Sequence, residues 1–151
     1  MAQKAVWQLI VSFLSLHRYE KLIDMKGIEG MITFTYYNDI EKAADFYRET
    51  LGFEEVMNRD WVKIFKVGKD SHIGLVNAEK GYLKPQAEKP VMLSVFVEDV
   101  DAWYKMLEEK GVKTNHPPQK GSDIDMRGFL TWDPEGYVIE FLTFDTKPYG
   151  E

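Results

Sequence analysis

The stretch YYNDIEKAADFYRETLGF at residues 36–53 recurs about sixty positions later, at residues 96–112, as FVEDVDAWYKMLEEKGV. In each copy an apolar strand leads through an Asp into an amphipathic helix, and a Gly follows the helix. An Asp at this place accepts hydrogen bonds from the first helical amides, and a Gly adopts the left-handed conformation that ends the helix. The matched pairs are Asp39 with Asp99 and Gly52 with Gly111. Repetition at this period indicates one small unit used twice.

The sequence around the two helices predicts two β-α-β-β-β modules. Residues 30–148 form one domain, with module one at 30–77, a linker at 78–90 and module two at 91–144. Runs rich in β-branched and aromatic residues favour strands. They lie at 31–37, 53–58, 61–67 and 71–77 in module one, and at 91–97, 125–132 and 137–144 in module two, where 112–114 is short and 116–122 is an exposed loop.

A strong turn signal, Asp133-Pro134-Glu135-Gly136, separates the last two strands, because Pro fixes φ and Gly supplies a positive φ. Each module therefore offers a curved four-stranded sheet with one helix packed outside. We expect an α+β fold in which the two modules form an incompletely closed eight-stranded barrel or cup. A concave space between sheets is where a ligand site is expected.

The first 29 residues are predicted to form a separate N-terminal helical extension. In 5–16 the polar residues step by three or four positions, which leaves a wide apolar face that needs a cover. We interpret it as an amphipathic helix packed on this domain or on a partner subunit. Translation from Met25 and an uncleaved membrane-surface anchor are the alternatives. At twelve residues the apolar run is too short to span a bilayer.

The composition excludes several classes of protein. A net charge of −6 argues against nucleic-acid binding. The chain has no cysteine, which removes disulfides, thiolate zinc sites and cysteine nucleophiles and fits a cytoplasmic protein. Phosphate-binding glycine loops, Ser-His-Asp signatures and HExxH motifs are also missing from the sequence.

Two runs, DIEKAADFYRETLGF at 39–53 and the more specific DPEGYVIEF at 133–141, resemble the glyoxalase/bleomycin-resistance/dioxygenase family, the vicinal-oxygen-chelate (VOC) superfamily. The resemblance covers about 30–144. It implies a cup made of paired β-α-β-β-β modules, in agreement with the pattern above. The fold hosts several reactions, so it does not name one.

The resemblance also implies positions for a divalent metal, which the family's metalloenzymes hold with four side chains. Here those positions carry Ile32, Gly74, Met92 and Glu140, and only the Glu is a usual metal ligand. We therefore predict no cofactor. A relocated metal site that uses His72 with Glu140 is the alternative, although most sites need a third protein ligand.

Strand alternation predicts which side chains line the cup. The predicted ligand-binding set is mainly apolar and aromatic, and Trp61 and Arg127 are further polar candidates whose strand register is open. The set comprises Phe34, Tyr36, His72, Met92, Ser94, Phe96 and Glu140. The same side chains could instead fill a small barrel.

Two functions compete. The first is a protein of the bleomycin-resistance type that binds a small organic molecule without a metal. The second is a lyase, isomerase or dioxygenase that uses Glu140 as the catalytic base, with or without a relocated metal. A third reading, an accessory dimerisation module, rests on the N-terminal helix. Because family members commonly pair subunits, we expect a homodimer.

Overall fold

The computed structural model describes residues 30–146, so the predicted N-terminal helical extension and residues 147–148 of the predicted domain lie outside the described residues. The elements follow the predicted order, twice over. They are β1 (Met31–Tyr37), α1 (Ile40–Asp45) with a π-helical turn (Phe46–Thr50), β2 (Glu54–Asn58), β3 (Val62–Val67), β4 (Ser71–Asn77), β5 (Met92–Phe96), α2 (Val100–Glu109), β6 (Gln119–Lys120), β7 (Met126–Trp132) and β8 (Val138–Phe144).

The strands form two four-stranded sheets of the same topology, ordered β1-β4-β3-β2 and β5-β8-β7-β6. In each sheet the first and last strands of the module pair in parallel, and the other pairs are antiparallel. The predicted pair of β-α-β-β-β modules is confirmed. No described strand of one sheet pairs with a strand of the other, so the eight-stranded barrel stays a prediction.

Both predicted helix caps are present. The Asp39 carboxylate accepts a hydrogen bond from Lys42 N at 3.0 Å, and that of Asp99 accepts one from Ala102 N at 2.9 Å. The glycines that follow the helices, Gly52 and Gly111, have φ values of 72° and 71°. The repeat therefore preserves the chemistry of both helix ends.

The first helix differs from the continuous α-helix that the sequence predicts. After Asp45 it widens into the π-helical turn, in which Leu51 N donates to Phe46 O at 3.0 Å. Arg48 in this turn pairs with Asp45 at 2.8 Å and with Glu55 at 2.7 Å. The Arg48–Glu55 pair joins this turn to β2, and helical periodicity in the sequence does not encode such a contact with the next strand.

The second strand of module two also differs from the prediction. The segment 112–114 contributes only an isolated bridge between Thr114 and Thr131. The strand lies instead inside the predicted loop, where Gln119–Lys120 pairs with β7. Both of its residues are polar and exposed, so no hydrophobic alternation marks it.

One hydrophobic core joins the modules. It contains Phe65 and Leu75 from the first sheet together with Leu107 and Phe141 from the second module. Trp103 of α2 stacks on Phe141 with ring centroids 4.7 Å apart. Each fully buried side chain of this size stabilises the fold by roughly 2–3 kcal/mol. The helices cover one face of each sheet, and we call the opposite face its open face.

Candidate functional site

Glu140 lies in the middle of the second sheet's open face. Its strand, β8, is flanked by β5 and β7, which places Ser94 and Leu130 beside it. Ser94 Oγ donates a hydrogen bond of 2.6 Å to Glu140 Oε2. Two of the predicted lining residues therefore meet on this face, and the hydrogen bond from Ser94 orients the carboxylate.

A cavity of about 480 Å³, which we call the Glu140 cavity, lies over this face. Its volume is within the size range of small-molecule sites. One wall is the sheet, and the other is the loop 121–124. It is lined by four predicted residues, Met92, Ser94, Phe96 and Glu140, and by Gly121, Ser122, Asp123, Ile124, Met126, Leu142 and Phe144. A neighbouring cavity of about 250 Å³ shares Glu140 and includes His116 and Lys120.

His72 lies elsewhere, in a third cavity of about 350 Å³ to which both modules contribute. Met92 and Ser94 also line that cavity, whereas Glu140 does not. The structure thus brings four of the predicted ligand-binding residues to the Glu140 cavity and separates His72 from the carboxylate.

Phe34 and Tyr36 occupy the open face of the first sheet and line none of these three cavities. Phe34 lies against Gly74: a Cβ built on that glycine would approach the ring to 2.4 Å. Tyr36 packs on a small buried cluster of Val62, Ile64 and Val76. Side chains of the sheet itself therefore cover most of this face.

The donor groups do not fit the family's divalent metal. The equivalent positions Ile32, Gly74 and Met92 supply neither a carboxylate nor an imidazole, and Phe34 occupies the space beside Gly74. Within residues 30–146 no three His, Asp or Glu side chains come close enough to hold a metal ion. We derive no chemistry through a metal.

The two further polar candidates lie away from the Glu140 cavity. Arg127 projects from the helix-covered face of β7 and forms two hydrogen bonds, of 2.7 and 3.0 Å, with Asp101 of α2. This contact holds the pKa of the Asp101 carboxyl below its usual range. Trp61 precedes β3 and is exposed. Neither side chain lines the cavity.

Sequence reasoning missed the cavity's outer wall. Met126, Gly128 and Leu130 alternate along β7 and lie on the same face as Glu140. This alternation could have predicted Met126 as a cavity residue. Loop residue Ile124, 61% exposed, carried no such signal, because its position depends on how β6 pairs with β7.

A buried polar cluster joins the modules at the turn 133–136. Asp133 Oδ2 accepts hydrogen bonds from the hydroxyls of Tyr37 at 2.7 Å and Tyr47 at 3.2 Å. Asp133 Oδ1 accepts from the backbone amides of Glu135 and Tyr137. Burial raises the pKa of Asp133, and burial together with the nearby carboxylate raises the pKa of both tyrosines. This cluster is a structural link between the modules.

No helix in the described part of the chain is long and apolar enough to cross a membrane. Comparison with known proteins gives one curated relative, the uncharacterized protein YraH of Bacillus subtilis, at 29% identity over 113 residues, or 68% of this chain and 88% of YraH.

The solved structures that share the fold include the following two. A glyoxalase/bleomycin resistance protein/dioxygenase from Nocardioides superposes with a TM-score of 0.66 at 19% identity, over 91% of this chain and 98% of its own. Lactoylglutathione lyase from Agrobacterium tumefaciens gives a TM-score of 0.63 at 20% identity, over 80% and 95%.

The sequence profile of one family matches residues 32–141, which include both sheets and the turn 133–136. This span covers more than half of the chain, and the solved structures above share its architecture. The chain therefore belongs to the Glyoxalase/Bleomycin resistance protein/Dioxygenase superfamily.

Proposed function

We propose that this protein binds a small organic molecule in the Glu140 cavity and does so without the family's catalytic metal. The observation that carries the proposal is the cavity itself. Most of its lining side chains are apolar, and the Ser94–Glu140 pair supplies a few convergent polar atoms. An apolar pocket with few fixed polar groups is typical of a site for an organic ligand. Ile32, Gly74 and Met92 occupy positions where the family's metalloenzymes carry metal ligands, and this supports the absence of a metal.

An enzyme of the lyase or isomerase kind is the second candidate. Its support is Glu140, a partly buried carboxylate beside the cavity. Among the described residues, Ser94 is the one hydrogen-bond partner of this carboxylate. Such a group can accept a proton from a bound substrate. A structure with the same fold is named as a lactoylglutathione lyase, which makes this class of reaction the one to test first.

Metal analysis and ligand binding together test the proposal. We expect protein purified without chelators to carry far less than one equivalent of Ni, Zn, Fe or Mn. Planar organic molecules should raise its thermal midpoint, because a ligand present at 100 times its Kd adds about 2.7 kcal/mol to the free energy of unfolding. Close to one equivalent of metal, lost on Glu140→Gln, would overturn the metal-free reading.

A cavity-filling variant gives the matched control. Met126→Trp should abolish the ligand-induced shift, because the indole would occupy the cavity. Met57→Trp on β2 should retain the shift, since Met57 is an exposed methionine that lines none of the three cavities. Equal responses of the two variants would place the ligand elsewhere.

We also propose a homodimer in the cytoplasm. Large apolar side chains are exposed on the open faces of both sheets, Phe34 at 47% and Met92 at 51%. Exposed apolar patches of this kind mark interaction surfaces. Light scattering should give twice the mass of the 17.6 kDa chain, and Phe34→Ser should shift it toward one chain. A single-chain mass for the unmodified protein at micromolar concentration would contradict the dimer.

The absence of cysteine supports the cytoplasmic location, which cell fractionation would test.

A further inference from the structure

We infer that the ligand of the Glu140 cavity is an organic cation with an apolar body, such as a protonated amine on an aromatic ring system. This inference rests on the proposed binding function. It adds the chemical class of the ligand, which the fold does not specify.

The first step is the charge of the cavity wall. Two carboxylates, Glu140 and Asp123, line the cavity, and the described lining residues include no Lys, Arg or His. Asp123 is held by Ser122, whose Oγ donates to Asp123 Oδ2 at 2.9 Å. Opposite charge on a ligand is therefore favoured, and an anionic ligand is disfavoured.

The second step concerns two basic residues, Lys120 and His116, which line the neighbouring cavity. The Lys120 ammonium pairs with Asp125 at 2.9 Å and with Asp145 at 3.8 Å, and the His116 ring hydrogen-bonds the carbonyl oxygen of the next residue at 2.7 Å. Glu140 forms no ion pair with any described residue. A carboxylate that loses water without gaining a counter-charge costs free energy. A cationic ligand that displaces water from Glu140 would offset that cost.

The third step is the apolar part of the wall. Phe96 and Phe144 form a tilted aromatic pair with centroids 5.4 Å apart, and Met92 and Met126 lie on the same face. Methionine adapts to ligands of irregular shape. The wall thus fits a ring system that carries its charge toward Glu140.

A matched pair of probes tests the inference: 2-naphthylmethylamine, which is charged at pH 7, and 2-naphthylmethanol, which is neutral and nearly the same shape. Titration calorimetry should show the amine binding at least about tenfold more tightly than the alcohol, a difference of about 1.4 kcal/mol. Glu140→Gln should lower the affinity for the amine about tenfold, toward the affinity for the alcohol. The amide keeps an acceptor for Ser94 Oγ, so the fold is retained.

Glu109→Gln is the charge-matched control, because Glu109 is an exposed residue of α2 outside the cavity. It should leave both affinities unchanged. If both probes bind with equal affinity and Met126→Trp abolishes this binding, the inference of a cationic ligand is overturned, and the proposed binding cavity is retained. No binding of either probe by the unmodified protein would overturn both the ligand class and the proposed cavity.

Discussion

The open faces of the two sheets have the same strand order but different surfaces. On the first sheet Val62, Ile64 and Val76 are buried, and Gly81 of the linker lies against Val76 and Tyr36. On the second sheet the equivalent face carries Glu140 beneath a cavity of about 480 Å³. Two sheets of the same topology therefore present different surfaces, and the candidate site lies on the one that the linker does not contact.

The turns before β4 and β8, the last strands of the two modules, also differ: one is exposed and the other contacts the opposite module. In module two, Asp133 is buried and the turn contacts module one, where Glu135 Oε1 accepts from Asp39 N at 2.7 Å. In module one, Gly68–Asp70 is exposed, and Asp70 forms no hydrogen bond or ion pair with the described residues. Among the described residues, only the second of these two turns makes hydrogen bonds to the other module.

The largest expected effect separates these turns. Asp133→Ala should lower the free energy of unfolding by about 3 kcal/mol, because two buried tyrosine hydroxyls and two backbone amides lose their acceptor. Asp70→Ala, at the equivalent turn, should change it by less than about 0.5 kcal/mol. Chemical denaturation of both variants measures the difference. Similar losses would show that the turns contribute alike.

A smaller effect tests the covered face of the first sheet. A Cβ on Gly81 would lie 2.7 Å from Val76 Cγ1 and 2.8 Å from Tyr36 Cε1. Gly81→Ala should therefore displace the linker and cost about 1–2 kcal/mol in unfolding free energy. The control is Gly30→Ala, whose Cβ would meet nothing within 4 Å and which should be neutral or slightly stabilising. No loss in Gly81→Ala would mean that the linker does not hold this face.

The sequence predicted what local chemistry determines. The strand bounds of β1 and β4 match the predicted 31–37 and 71–77, since runs of β-branched and aromatic residues mark them. Asp39 and Asp99 cap helices because a carboxylate three residues before an amide reaches it without help from the rest of the fold. Alternation along β5 and β8 also predicted that Ser94 and Glu140 line the cup, but their position side by side comes from the parallel pairing of those strands, which the sequence did not predict.

Features that depend on distant contacts could not be predicted. The pairing of Gln119–Lys120 needs β7 in place, and it also positions the outer wall of the cavity. The turn 133–136 was recognised as a turn, but its contact with Tyr37 joins residues 96 positions apart. Alternation along the strand placed Phe34 on the same face as Ile32 and Tyr36, but it did not show that Phe34 lies against Gly74.

That separation along the chain has a consequence for synthesis on the ribosome. The hydroxyl of Tyr37 and the amide of Asp39 find their partners in Asp133 and Glu135, each 96 residues further on. At about 5–20 residues per second, translation of that interval takes on the order of 5 to 20 seconds. For that time module one exists without the Asp133 and Glu135 acceptors of the Tyr37 hydroxyl and the Asp39 amide, and the β7–β8 hairpin then completes a structure begun near the first strand.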